Sequence, residues 1–156
     1  MTEKIAKKVG EAYAFAAVLE KTFIDNEAVM STLLGDHATT VIAGATSQRE
    51  QLEAIATTAG TAEMVLPKAE KTGAKITKMA DMYVGDDWDD VAEVLEWMSF
   101  FIGGAIVHWQ LIAGAAKEMG NDEFTAIATG GTEYYVALMD QLRMYAETVG
   151  KDRAQA

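Results

Sequence analysis

Val41-Ile-Ala-Gly-Ala45, followed by Ala54-Ile-Ala-Thr57 and Gly60-Thr61, returns as Leu111-Ile-Ala-Gly-Ala115, then Ala126-Ile-Ala-Thr129 and Gly131-Thr132. The blocks keep their order at offsets of 70, 72 and 71 residues. A repeat of that length is a supersecondary unit, too short to bury its apolar face alone and stable when packed on its copy. The reading is one domain over residues 1–156, built from two similar halves at about 10–80 and 81–152.

The flanking residues say what the halves are made of. Apolar positions recur at helical spacing almost everywhere, and no run alternates as a strand does. Ile5, Val9, Ala16, Leu19, Phe23, Met30 and Leu34 form one stripe, which predicts a first helix from Glu3 to Leu34 closed by Gly35. A second helix covers roughly 37–59, with a break expected at Gly44 because Ser47-x-x-Glu50 reads as a capping box. A third stretch runs from Thr61 to Tyr83, kinked or delayed by Pro67. Gly85-Asp-Asp-Trp-Asp-Asp90 reads as a loop and N-cap for a helix from about Trp88 to Glu118. Gly120-Asn121 ends it, and a last helix continues to about Val149, weakened at Gly130-Gly131. The fold class is therefore all-α, a four-helix-type bundle from two similar helix pairs.

Composition narrows the chemistry. The chain has no Cys, which removes disulfides, thiolate metal sites and Cys nucleophiles. Its net charge of -11 disfavours phosphate backbones and anionic lipid, so neither nucleic acid nor membrane is an expected partner. No apolar segment follows Met1-Thr-Glu-Lys-Ile-Ala-Lys-Lys8, so no secretory signal is expected and the location reads as cytoplasmic. No P-loop, dinucleotide fingerprint or nucleophile elbow is present.

Trp97 to Ala116 is twenty residues without a formal charge, which as a helix would extend about 30 Å, the thickness of a bilayer core. Ser99, His108 and Gln110 interrupt it, acidic residues precede it, and no Lys/Arg cluster flanks it. The run reads instead as a helix buried on all sides. A two-layer bundle seldom covers a helix all round, so a homodimer is expected to cover the remaining face. Gly103 and Gly104 would let another helix approach closely.

Carboxylates supply the candidate site. Glu20 lies in the first helix, Glu53 in the second, Glu93 and Glu96 one turn apart in the next long helix, and Glu133 in the last. Carboxylates that project into a bundle core are costly unless paired or bound to metal. Bundles that bring one or two from each helix to one height bind pairs of iron or manganese ions.

That arrangement resembles the rubrerythrin branch of the ferritin-like superfamily. Ala12-Tyr-Ala-Phe-Ala-Ala-Val-Leu-Glu20 is similar to the family's first metal-binding helix. Ala115-Ala-Lys-Glu-Met-Gly-Asn-Asp-Glu123, on to Glu133, is similar to its turn and final helix. The resemblance implies a ferritin-like bundle in which Glu20, Glu53, Glu93, Glu96 and Glu133 hold two ions that react with oxygen or peroxide. The family's Glu-x-x-His motif is broken, however, because Ala56 and Val136 stand one turn after Glu53 and Glu133. The expected site is thus degenerate or all-carboxylate, suited to iron, manganese or magnesium, in a protein with a binding or structural role. Asp36-His37 through Gly44-Ala-Thr-Ser-Gln-Arg-Glu50 also resembles the carboxymuconolactone decarboxylase/AhpD-like helical fold, without its Cys-x-x-Cys. The alternative function is a metal-free helical module that binds a small apolar ligand or a protein partner at a dimer interface, with Trp97, Phe101, Trp109 and Tyr135 lining a cavity. His108, between Val107 and Trp109, reads as a core or interface His with a satisfied ring nitrogen.

Overall fold

The computed structural model describes residues 1–156 as helices α1 (Glu3–Asp25), α2 (Glu27–Leu34), α3 (His37–Thr58), α4 (Ala62–Val84), α5 (Val91–Glu118) and α6 (Asp122–Gln155). There is no strand, so the all-α class holds. Five of the helices are long and one, α2, is short, because the first helix expected from Glu3 to Leu34 is divided into α1 and α2. Helix α1 packs against α3 and α4 and also touches α5, while α5 and α6 form an antiparallel hairpin. Short α2 lies across α3, α5 and α6. The buried apolar side chains form one continuous cluster, so the chain has a single core.

Caps fix most boundaries. Asp90 Oδ1 accepts from the backbone N–H groups of Ala92 (2.9 Å) and Glu93 (3.4 Å) and starts α5 three residues after Trp88. Asn121 Oδ1 does the same for α6 through Phe124 N–H at 2.8 Å. Gly60 and Gly120, at φ of +66° and +62°, turn the chain between α3 and α4 and between α5 and α6. In both turns the residue after the glycine donates its N–H five residues back, Thr61 to Ala56 and Asn121 to Ala116. A left-handed residue of this kind closes a helix, and glycine takes that conformation without strain.

Several expected boundaries move. The long first helix breaks at Asn26, whose backbone N–H and side-chain amide both donate to the Thr22 carbonyl, at 3.1 and 3.0 Å. No break occurs at Gly44 or at Gly130-Gly131, and Ser47 lies inside α3, so Ser47-x-x-Glu50 caps nothing. Pro67 sits within a continuous α4, and α6 runs past Val149 to Gln155.

The sequence repeat has no counterpart of the same register. Val41–Ala45 and Ala54–Thr57 both lie inside α3, whereas Leu111–Ala115 lies in the last part of α5 and Ala126–Thr129 follows in α6, with a turn between them. The glycine turns that do correspond, Gly60 and Gly120, are sixty residues apart. The matched blocks are therefore not equivalent pieces of structure.

Candidate functional site

The five glutamates are dispersed. Glu20, half-buried on α1, pairs with Arg49 of α3 at 2.7 Å and accepts from Thr46 Oγ1 at 2.7 Å. Glu53 and Glu133 are exposed, and Glu93 is half-buried at the start of α5. Glu96 is exposed and accepts a hydrogen bond from the Tyr83 hydroxyl at 2.9 Å. No three His, Asp or Glu side chains gather in a way that could hold a metal ion. Glu53, Glu96 and Glu133 point outward from α3, α5 and α6, and Glu20 is held by Arg49, so helical spacing brings the five to no common point. His37 stands exposed at the start of α3.

The best-connected carboxylate is Glu11, which the sequence reading did not single out. It lies on α1 and is reached by Lys8 of α1 at 2.7 Å, Lys68 of α4 at 2.8 Å and His108 Nε2 of α5 at 3.2 Å. His108 Nδ1 donates to the Gly104 carbonyl at 2.8 Å, so the ring has the satisfied nitrogen expected of it. Burial works to raise the Glu11 carboxyl, but the hydrogen bonds and charges of Lys68 and Lys8 outweigh it and hold the group below its ordinary 4.5. Gly10 makes this junction possible, because a Cβ there would lie 2.6 Å from the Val65 carbonyl oxygen. The sequence signal was Glu11 three residues after Lys8, an ordinary spacing for exposed pairs. Glu11 clasps α1 to α4 through Lys68, with the His108 ring of α5 set against it.

Of the four aromatics expected to line a cavity, Phe101, Trp109 and Tyr135 are packed in the core, and Trp97, also buried, reaches a surface groove. Trp109 and Tyr135 are fully buried with ring centroids 6.5 Å apart, and Trp97 and Phe101 lie 6.3 Å apart. Burial pushes the Tyr135 hydroxyl well above its ordinary range, Tyr134 adds to the rise, and the nearby Trp109 N–H offsets part of it. That N–H and the Tyr135 hydroxyl nonetheless complete no hydrogen bond.

Accessible apolar surface lies elsewhere. Met79, Met82 and Tyr83 of α4, with Trp97 and Phe100 of α5, line a groove of about 420 Å³. From Phe100 the outward face of α5 continues through Gly103 and Val107 to Leu111 and Gly114. Phe100, Val107 and Leu111 are 63%, 54% and 50% exposed. By length and composition α5 is apolar enough to cross a membrane, and only 33% of its most apolar window is buried in the chain. Helix α5 packs against α1, α2, α4 and α6, and its face through Phe100, Val107 and Leu111 is left open within the chain. Protein-family models, curated proteins and solved structures were each compared with the chain, and none gives a match. Function must be argued from this surface.

Proposed function

We propose that the chain is an association module that docks through the uncovered face of α5 and the adjoining groove on α4. The observation that carries this reading is the exposure of Phe100, Val107 and Leu111 on a helix with no charge from Trp97 to Ala116. Single exposed apolar residues are ordinary, but a contiguous apolar patch marks an interaction site. The surrounding chain carries a net charge of -11, so selection for solubility alone would put carboxylates here too. Met79 and Met82 suit such a surface because their unbranched side chains adapt to a partner's shape.

The test is the double variant Val107→Glu/Leu111→Glu, two outward positions whose change leaves the core untouched. Helical circular dichroism should be unchanged, while self-association in sedimentation, or binding of the neutral apolar dye Nile red, should fall. A variant that matches the native chain in mass and in dye binding would sink the reading.

A further inference from the structure

We infer that the contact between His108 of α5 and Glu11 of α1 is gated by a proton. It closes when both ring nitrogens of His108 carry hydrogen and opens when Nε2 loses its own. The gate is independent of what docks on the open face of α5.

Each ring nitrogen faces an atom that only accepts. Nδ1 lies 2.8 Å from the Gly104 carbonyl oxygen, so it holds a hydrogen and donates it. Nε2 lies 3.2 Å from Glu11 Oε2. Burial opposes the ionisation of Glu11, but Lys68 and Lys8 outweigh it and hold the carboxyl below 4.5. At neutral pH that oxygen therefore belongs to a carboxylate, which has no hydrogen to give. A neutral imidazole has a single N–H. With that hydrogen committed to Gly104, a neutral ring would turn a lone pair toward the carboxylate. Only the imidazolium, with two N–H groups, satisfies both partners as they stand.

The packing favours the same form. Glu11 and Phe15 are one turn apart on α1, and they meet Gly104 and His108, one turn apart on α5. The Phe15 and His108 ring centroids are 4.8 Å apart, within the reach at which an aromatic ring attracts a cation. A Cβ on Gly104 would come within 3.2 Å of Phe15 Cζ, so the glycine admits the ring that His108 lies against.

The other charges make the contact reversible. Lys8 donates to Glu11 Oε2, the oxygen that His108 also uses, and Lys68 of α4 pairs with Oε1. Both lysines oppose the second ring proton that Glu11 attracts, and both keep the carboxylate when His108 lets go. On α5 itself the nearest charges are Glu96 and Lys117, more than two turns away. Helix α2 carries only the exposed Glu27. On α6 the charged residue near the level of the Trp109–Gly131 contact is Glu133, which is exposed and makes no ion pair with the ring. Proton loss thus releases the polar tie between α5 and α1 and leaves the α1–α4 clasp in place.

Nuclear magnetic resonance reads the ring directly. The native chain, labelled with nitrogen-15 histidine, is followed by long-range proton–nitrogen correlation from pH 5 to 8, where histidine changes charge. His108→Gln assigns the signals, because exposed His37 is the other histidine. At the acid end both ring nitrogens of His108 should carry hydrogen. At the alkaline end only Nδ1 should, the reverse of the form usual for a solvated imidazole. The backbone amide signals of Ala12 and Phe15 on α1 should move in step with that proton. Glu11→Gln offers an N–H to a neutral ring and a carbonyl to a charged one, so there the movement on α1 should fall several-fold. A neutral ring protonated at Nε2 would overturn the proposal, since it satisfies Glu11 without a second proton. Amide signals on α1 that ignore His108 in the native chain would overturn it too, whether or not the Glu11 variant folds.

Discussion

Gly131 on α6 occupies space that the Trp109 ring of α5 requires: a Cβ there would lie 2.1 Å from Trp109 Cε3. Its neighbour Gly130 is different, because a Cβ at that position meets nothing within 4 Å. The two glycines therefore answer the same substitution with opposite signs. Gly130→Ala should stabilise by up to about 1 kcal/mol, since alanine costs less backbone entropy in a helix. Gly131→Ala gains that term but forces the fully buried Trp109 to move, which should leave it about 1–3 kcal/mol less stable. Urea unfolding of both variants measures the contrast, and equal shifts would show that α6 does not seat Trp109 as described.

A second pair of neighbours separates a used hydroxyl from an unused one. Tyr134 Oη donates to the Val41 carbonyl at 2.6 Å and ties α6 to α3, with its ring over Gly44. Tyr135 Oη is fully buried and has no partner. Tyr134→Phe should cost about 1 kcal/mol for the lost bond. Tyr135→Phe should be neutral or stabilising by up to about 1 kcal/mol, because it removes a buried polar group that nothing satisfies. Thermal or denaturant melts decide, and a loss at Tyr135→Phe as large as at Tyr134→Phe would contradict the packing at Trp109.

Much of the helix pattern was legible because it rests on local rules. The stripe from Ile5 to Phe23, the acidic loop Gly85–Asp90 ahead of α5 and the turn at Gly120 depend on residues within a few positions of each other. What was misread depends on contacts distant in sequence. Gly44 and Gly131 read as weak points, and only Tyr134 and Trp109, from other helices, reveal them as seats for aromatic rings. The carboxylates show a related limit, since no three of them gather as a metal site would require. Spacing along a helix places glutamates on a face but does not say which face looks inward, so exposed Glu53 and Glu133 matched a motif while Glu11, the carboxylate that joins three helices, matched none. The uncharged run in α5 was visible from the start, and only the packing showed which side is left open.

The dispersal of the glutamates sets an expectation for metal. Glu20 is engaged by Arg49 and Thr46, and Glu53 and Glu133 face water. Dialysis against a chelator should leave the melting temperature unchanged. Soaking with Fe²⁺ or Mn²⁺ should give no stoichiometric uptake that depends on Glu53, Glu93, Glu96 or Glu133. Elemental analysis of the native chain beside Glu53→Ala and Glu96→Ala checks this, and about two ions per chain lost in both variants would restore a carboxylate site.

The acid response should trace to Glu11. Its carboxyl is held below 4.5 in the folded chain, since the pull of Lys68 and Lys8 exceeds the opposing effect of burial. A depressed carboxyl contributes stability that is fully present above the unfolded value and is lost as the pH falls through the folded one. Glu11→Gln keeps the shape and removes the charge, so at neutral pH it should be less stable by an amount on the order of 1 kcal/mol, with solvent screening discounting the pairs. As the pH drops below 4.5 the native carboxyl protonates, and the two proteins should converge. A difference that persists unchanged at pH 2–3 would mean that Glu11 acts through packing alone, and that the charges of Lys8 and Lys68 contribute nothing to holding α1 against α4.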